Sequence, residues 1–302
     1  MSGDDMTSIK KILLILFVIL FFSNANAISA LSKEILAFWF EQLVPSMFVS
    51  IVLIQILSST SFFTDIAYGL KGLCKVLNVN QEGLGLIISC LLAGCPASVV
   101  LINDAYQKQR ITEKMAYRLL YCTPIATISF LMMNVGTQMF HNIKAGLFLW
   151  LIQIISSFGL LFLTSRTPII ANPITEKTQI KKHSVSSALF QSGLIVFLIG
   201  GYLLMFQTLS LLINLFLPSS LENIMKIISE FSYGCFLISE QFNFSIAFVL
   251  INALCGFNGL CVHYQAISIS ELKLPRVRYV GYRIVQSLIA SVISIAVLPL
   301  LL

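Results

Sequence analysis

The sequence predicts an all-α, polytopic integral membrane protein of about eight spans, in two related halves with re-entrant helical hairpins. Three observations carry this. Of 302 residues, 57% are hydrophobic and only 11% charged, with a mean hydropathy of +0.91, whereas soluble domains carry about 25% charged residues. The apolar runs are continuous over about 20 residues and do not alternate with period 2, which selects helices over a barrel. Two apolar segments are also interrupted in matching ways. One is Leu91-Leu92-Ala93-Gly94-Cys95-Pro96-Ala97-Ser98-Val99-Val100, the other Ala253-Leu254-Cys255-Gly256-Phe257-Asn258-Gly259-Leu260-Cys261-Val262. Each is followed by a Tyr-Arg pair, Tyr117-Arg118 and Tyr282-Arg283. Paired discontinuous segments in two halves of a membrane protein point to a transporter binding site.

Residues 1–30 form a signal-anchor or first transmembrane segment. Lys10-Lys11, the run Ile12 to Phe22 and Ala25-Asn26-Ala27 have the layout of a secretory signal, and the same stretch extended to Ala30 fits an uncleaved span. Residues 31–165 make the first membrane repeat. A span from Ile35 to Leu57 is kinked at Pro45, where one backbone bond is lost. The polar Glu41 and Gln42 beside it either satisfy the kinked backbone or face a cavity. Ser58 to Gln81 is amphipathic and lies along the interface. The first broken segment, Gly83 to Asn103, leads into a charged turn with Lys108, Arg110, Glu113 and Lys114. Met115 to Phe140 is apolar but broken at Cys122-Thr123-Pro124, and Lys144 to Leu163 is a clean span.

Residues 166–184 are a basic linker, with Arg166, Lys177, Lys181 and Lys182, placed in the cytoplasm by the positive-inside rule. Residues 185–302 make the second repeat. It holds an apolar run from Val185 to Leu217, a polar corner at Pro218 to Asn223, and a moderately apolar stretch, Ile224 to Ser239, carrying Glu230. The second broken segment (Phe244 to Ile269), a turn with Glu271, Lys273, Arg276 and Arg278, and a last span from Tyr279 to Leu302 complete it. If both broken segments are re-entrant hairpins, the halves are inverted. Inversion, the expectation adopted here, puts Lys273, Arg276 and Arg278 outside, against the positive-inside rule; a second segment that spans fully returns them to the cytoplasm.

Composition also excludes functions. The net charge of +6 sits in short loops and reads as topology signal, not as a nucleic-acid footprint. The seven cysteines are an odd number without Cys-x-x-Cys and act as small buried hydrophobes, so no metal and no cofactor is expected. There is no phosphate-binding Gly-x-x-x-x-Gly-Lys-[Ser/Thr], no Gly-x-Ser-x-Gly and no His-Glu-x-x-His. The chain is not expected to be an enzyme.

Chemistry is expected at the breaks. A half-helix starting near Ala97 offers unpaired N–H groups and a positive dipole end to the interior, and the Gly256–Gly259 break offers the same. Two such N-termini cradle a carboxylate. The candidate substrate-binding residues are Gly94, Cys95, Pro96, Ala97, Ser98, Asn103, Thr123, Arg118, Gly256, Phe257, Asn258, Gly259, His263, Gln265 and Arg283. Arg118 and Arg283 are either surface anchors or partners of an anion, and His263 a backbone-bonded residue or a proton relay. Glu230 is either a headgroup-level residue or the site of a coupling proton or sodium ion.

These residues carry a resemblance. Trp39 with Pro45-Ser46, the Gly94-Cys95-Pro96 break, Arg110-Ile111-Thr112 with Ala116-Tyr117-Arg118-Leu119-Leu120, Gly200-Gly201 to Phe206, and Phe257-Asn258-Gly259-Leu260-Cys261-Val262 with Gln265 together resemble the sporulation integral membrane protein family YlbJ/SpoVV. That family is of the nucleoside-recognition, or Gate-domain, type. The resemblance implies re-entrant hairpins and movement of dipicolinic acid, a small aromatic dicarboxylate, during sporulation. Ser98 stands where the family has Gly, and Met115 where it has Glu.

The expected function is a secondary transporter of a small organic anion, working by alternating access in the cell membrane as a multi-pass protein. Its partners would be the lipid bilayer, the substrate, a proton or sodium ion, and a second copy in a homo-oligomer. Two alternatives are a non-transporting protein that assembles a sporulation or envelope complex, and a transporter of nucleosides or another small metabolite.

Overall fold

The computed structural model describes residues 3–165 and 185–301, and is helical, with no strand among the described residues. Among the described residues five helices are long and apolar enough to cross a membrane: Ala25–Ser58, Ile143–Leu163, Val185–Asn214, Phe244–Ile269 and Arg276–Leu300. A sixth results if Lys71–Leu77 and Gln81–Ala93, bent by 90°, count as one. The expected eight is not reached because breaks cut the remaining apolar stretches into half-helices of 10 to 13 residues. Such a piece is about 15–20 Å long, half of a ~30 Å hydrocarbon core.

The first half begins with α1 (Gly3–Ser23), which ends at Asn24. Next comes α2 (Ala25–Phe38), so the expected boundary at residue 30 falls inside a helix. A π-helical turn, Trp39–Leu43, joins α2 to α3 (Val44–Ser58). The widened turn immediately precedes Pro45, whose missing N–H disturbs the ladder there. The Gln42 carbonyl inside it accepts from Asn134 Nδ2 at 3.0 Å and Ser46 Oγ at 3.0 Å. The interfacial stretch forms α4 (Phe62–Gly69) and α5 (Lys71–Leu77). There follow α6 (Gln81–Ala93), α7 (Ala97–Gln107), α8 (Glu113–Cys122), a π-helical segment (Phe130–Met139) and α9 (Ile143–Leu163).

The second half holds α10 (Val185–Asn214), α11 (Ser219–Ser229), α12 (Phe231–Gln241), α13 (Phe244–Phe257), α14 (Gly259–Ile269) and α15 (Arg276–Val297). Two expectations need correction here. The polar corner at 218–223 is largely the first turn of α11, and the stretch 224–239 is two helices with a break at Glu230. The basic linker, with Arg166, Lys177, Lys181 and Lys182, lies outside the described residues.

Side-chain ties define the two ends of the bundle. At one end Asn78 Nδ2 donates to the Ser165 carbonyl, Arg118 reaches Thr164, Tyr117 OH donates to Lys273 O, and Asn103 Nδ2 donates to Ile269 O. At the other end Phe140 meets Phe244 edge-on, ring centroids 5.0 Å apart. The α6–α7 pair therefore starts and finishes at the first end. By contrast, α13–α14 runs from one end to the other as a 26-residue apolar stretch. The expectation of a re-entrant hairpin at the second break is thus corrected. Lys273, Arg276 and Arg278 share one end with Lys108, Arg110 and Lys114, which removes the conflict in charge.

Polarity runs inward. Phe190, Phe197, Val292 and Ile295 face outward, whereas Gln153, Asn252, Gln286 and Ser294 are fully buried. These four hold α9, α13 and α15 together: Gln153 Nε2 donates to Asn252 O at 2.9 Å and Asn252 Nδ2 to Ser294 Oγ at 2.8 Å. Gln286 Nε2 donates to Ser157 Oγ at 3.0 Å. Interhelical polar bonds of this kind tie helices that lipid cannot drive together by hydrophobicity.

Candidate functional site

Four interruptions of the helical backbone interlock. At the first, Gly94 adopts φ +65°, and a Cβ there would lie 2.6 Å from Thr127 Cγ2 and 2.9 Å from the Ile125 carbonyl, so only glycine fits. The neighbouring Cys95 N–H donates to Ile125 O at 3.0 Å. The second interruption is the non-helical run 123–127 after α8. The third is Glu230, in extended conformation between α11 and α12. At the fourth, Asn258 and Gly259 adopt φ +76° and +66°. A Cβ on Gly259 would come within 3.0 Å of the Phe231 nitrogen, so the third and fourth breaks touch. Phe130 and Phe231 close the group from the two halves, ring centroids 5.2 Å apart.

The Pro124 carbonyl is the hub. Asn258 Nδ2 donates to it at 2.6 Å, and Arg283 Nη1 donates to it at 2.6 Å. Arg283 Nη2 also donates to Tyr121 O. A proline at 124 cannot continue α8, so the Tyr121 carbonyl in its last turn is left open and Arg283 satisfies it, while Asn258 and Arg283 together satisfy Pro124 O beyond the helix end. The guanidinium thereby sits at the negative end of the α8 dipole. Arg118 does the same for α9, with Nε to Thr164 Oγ1 at 3.1 Å and Nη2 to Leu161 O.

Neither buried arginine has a carboxylate partner; the ion pair Lys108–Asp104 is the only one among the described residues. Arg283 Nε and Arg118 Nη1 are buried without a hydrogen-bond partner. Glu230 is the only buried carboxylate among the described residues. It caps α12, accepting from Tyr233 N at 2.8 Å and from Ser232 Oγ at 3.0 Å. No side chain caps α7 or α14.

The candidate residues thus divide. Gly94, Cys95, Asn258 and Arg283 meet the run 123–127, of which Thr123 is the first residue, with Pro96, Ala97 and Ser98 opening α7 beside them, while Gly259 packs on Phe231 at the third break. His263 packs on Phe257, centroids 4.6 Å apart, and its Nε2 donates to the Phe257 carbonyl. Arg118 serves α9 one turn earlier on α8. Asn103 lies at the bundle end, donating to Ile269 O at 2.8 Å and accepting from Glu271 N at 3.3 Å. Gln265 donates to Cys261 Sγ at 3.2 Å. Gly256 is a packing residue: a Cβ there would stand 2.8 Å from Ser287 Cα on α15.

Sequence reading missed two participants. The break at Glu230 was hidden because Ile224 to Ser239 is apolar enough for one helix; the acid itself was the available signal, since carboxylates favour N-caps. Tyr279, fully buried one turn before Arg283, left none. No group of three or more metal-ligating side chains occurs among the described residues, and all seven cysteines are free and buried. No protein-family model, curated protein or solved structure matches the chain, so its function must be read from the interlocked breaks and Arg283.

Proposed function

We propose that the chain is a secondary transporter of a small organic anion, a multi-pass protein of the cell membrane that works by alternating access. The substrate binds beside the breaks at Gly94–Ser98 and Asn258–Gly259. The observation that carries this reading is Arg283, fully buried at the hub of four broken helices with no carboxylate partner. A buried cation costs several kcal/mol unless compensated, and carbonyl dipoles compensate it only in part. A substrate carboxylate supplies the missing charge, and the uncapped N-termini of α7 and α14 add favourable dipoles.

The order of elements supports two related halves. Each reads long helix, two broken pairs, long helix, with α4 and α5 inserted in the first. In this order Gly94 corresponds to Glu230, and 123–127 to Asn258. The basic end faces the cytoplasm by the positive-inside rule. Dipicolinate, the substrate that the YlbJ/SpoVV resemblance implies, has a carboxylate for Arg283, whereas Arg118 is held at the end of α9. Glu230 is the candidate coupling residue; Glu230→Gln should abolish any proton or sodium dependence of uptake, and unchanged dependence rejects that role.

A second reading is a non-transporting assembly partner. It is favoured by the fact that the bonds of Asn258 and Arg283 all go to backbone carbonyls, which a purely structural role would also produce. Uptake of labelled dipicolinate into proteoliposomes decides between them, with wild type beside Gly94→Leu and Asn258→Leu variants that insert normally. Saturable uptake lost in both variants supports transport at the breaks. No uptake of dipicolinate, other small acids or nucleosides by inserted wild type favours the assembly partner.

A further inference from the structure

Hydrogen bonds around the hub leave three buried donors unsatisfied. They are Arg283 Nε, the Tyr279 hydroxyl and the Ser98 hydroxyl; each residue is 0% exposed, and none of these atoms has a partner. Thirteen buried side-chain atoms among the described residues lack a partner, and these three are set apart by position, at the broken helices around Arg283. Tyr279 and Arg283 are four residues apart on α15 and share one face. The Tyr279 ring meets His263 edge-on, centroids 5.4 Å apart, which places it against α14. Ser98 lies in the first turn of α7, its N–H bonded to Gly94 O at 2.7 Å, beside Cys95. Cys95 is in turn joined to Ile125, next to the carbonyl that holds Arg283.

The unused donors say what they suit. Two of the guanidinium nitrogens, Nη1 and Nη2, are committed to Pro124 O and Tyr121 O. Each of those nitrogens keeps a second N–H, and Nε–H beside the free Nη2–H is the side-on pair that the two oxygens of a carboxylate accept. That pair and the two hydroxyls, with the dipole of α7, suit a planar carboxylate with two oxygens and a single negative charge. The hydroxyls can also accept hydrogen bonds, but Arg283 Nε cannot, so a neutral amide gains less there than a carboxylate.

We propose that Tyr279 is a carboxylate-recognition residue, and that its hydroxyl, the Ser98 hydroxyl and Arg283 Nε–H form one donor set for a single carboxylate group of the substrate. This rests on the reading of the hub as a substrate site and adds to it the recognising atoms. A structural role and a recognition role predict opposite things for Tyr279→Phe. Removing a hydroxyl that bonds nothing leaves the fold as stable as before or more so. Removing a donor to a charged ligand weakens binding about tenfold or more.

The test is titration of pyridine-2-carboxylate, pyridine-2,6-dicarboxylate and pyridine-2-carboxamide into purified protein in nanodiscs, with Tyr279→Phe and Ser98→Ala beside wild type. The expected result is a Kd for both carboxylates raised about tenfold in each variant, with the melting temperature unchanged or higher and the carboxamide binding far more weakly than the carboxylates. Unchanged carboxylate Kd in Tyr279→Phe overturns the assignment and leaves transport standing. Carboxylate binding that depends on Tyr279, with no uptake in proteoliposomes, upholds the assignment and sinks transport. Absence of binding by all three probes to wild type overturns the assignment.

Discussion

Asn258 carries two duties that can be separated by substitution. Its backbone is left-handed, and its side chain donates to the Pro124 carbonyl at 2.6 Å. Asn258→Gly keeps the backbone and loses the bond, so it should cost about 1–2 kcal/mol of stability. Asn258→Leu loses the bond and strains a left-handed position, and should cost about 1–2 kcal/mol more. Thermal unfolding in detergent ranks the two; equal melting temperatures would mean that the conformation carries no cost. Arg283→Met strips a charged donor from Tyr121 O and leaves that carbonyl buried and unpaired, a loss of about 1–3 kcal/mol that should lower the melting temperature at least as far as Asn258→Gly does.

Each broken helix needs a device at its new end, and the devices differ. Glu230 supplies a side-chain cap for α12, which explains an acid inside an apolar stretch. Glu230→Gln retains an acceptor for the Tyr233 N–H, whereas Glu230→Ala removes it; the expected losses are under about 1 kcal/mol and about 1–2 kcal/mol respectively. A larger loss for Gln than for Ala, by thermal unfolding, would contradict the capping role. Between helices, Gly256 allows α13 to lie on α15 at backbone contact. Gly256→Leu should disrupt that packing and lower the melting temperature more than Gly281→Leu, where a Cβ meets nothing within 4 Å.

Much of this was legible in the sequence. Gly94-Cys95-Pro96 and Asn258-Gly259 announced interruptions because glycine, proline and asparagine tolerate what an apolar helix does not. Pro45 announced a disturbance of its helix, and the structure shows it as a π-helical turn at Trp39–Leu43 in place of a simple kink. The partner of each break was not legible. Nothing local says that Pro124 O accepts from residues 134 and 159 positions away, or that Arg118 reaches the end of α9. Nor does periodicity distinguish a hairpin that returns, as α6–α7 does, from a break that continues, as α13–α14 does. Those distinctions arise from tertiary contacts between distant segments.

Across the whole molecule, the side-chain ties at the bundle ends fix which loops share a side. The turns at 108–112 and 270–275 lie at one end and the Phe140–Asn142 turn at the other. All seven native cysteines are buried, so a membrane-impermeant thiol reagent should find little background. Gln109→Cys and Lys273→Cys should label from the same face, and His141→Cys from the opposite one. Labelling of 109 and 273 from opposite faces would restore the inverted hairpin that the contacts of α13–α14 argue against. The exterior is apolar, polar side chains such as Gln153, Asn252 and Gln286 are buried within an otherwise apolar core, and Arg283 at the hub has no anion of its own. That asymmetry is the basis for assigning transport of an anion.

The most direct measurement of that assignment is saturable anion uptake by Arg283→Gln and Arg283→Lys beside wild type, in proteoliposomes with insertion verified. The account predicts uptake in wild type, loss in Arg283→Gln, and at most partial uptake in Arg283→Lys, because lysine keeps the charge but lacks the planar donors. Wild-type rates of anion uptake in Arg283→Gln would contradict it.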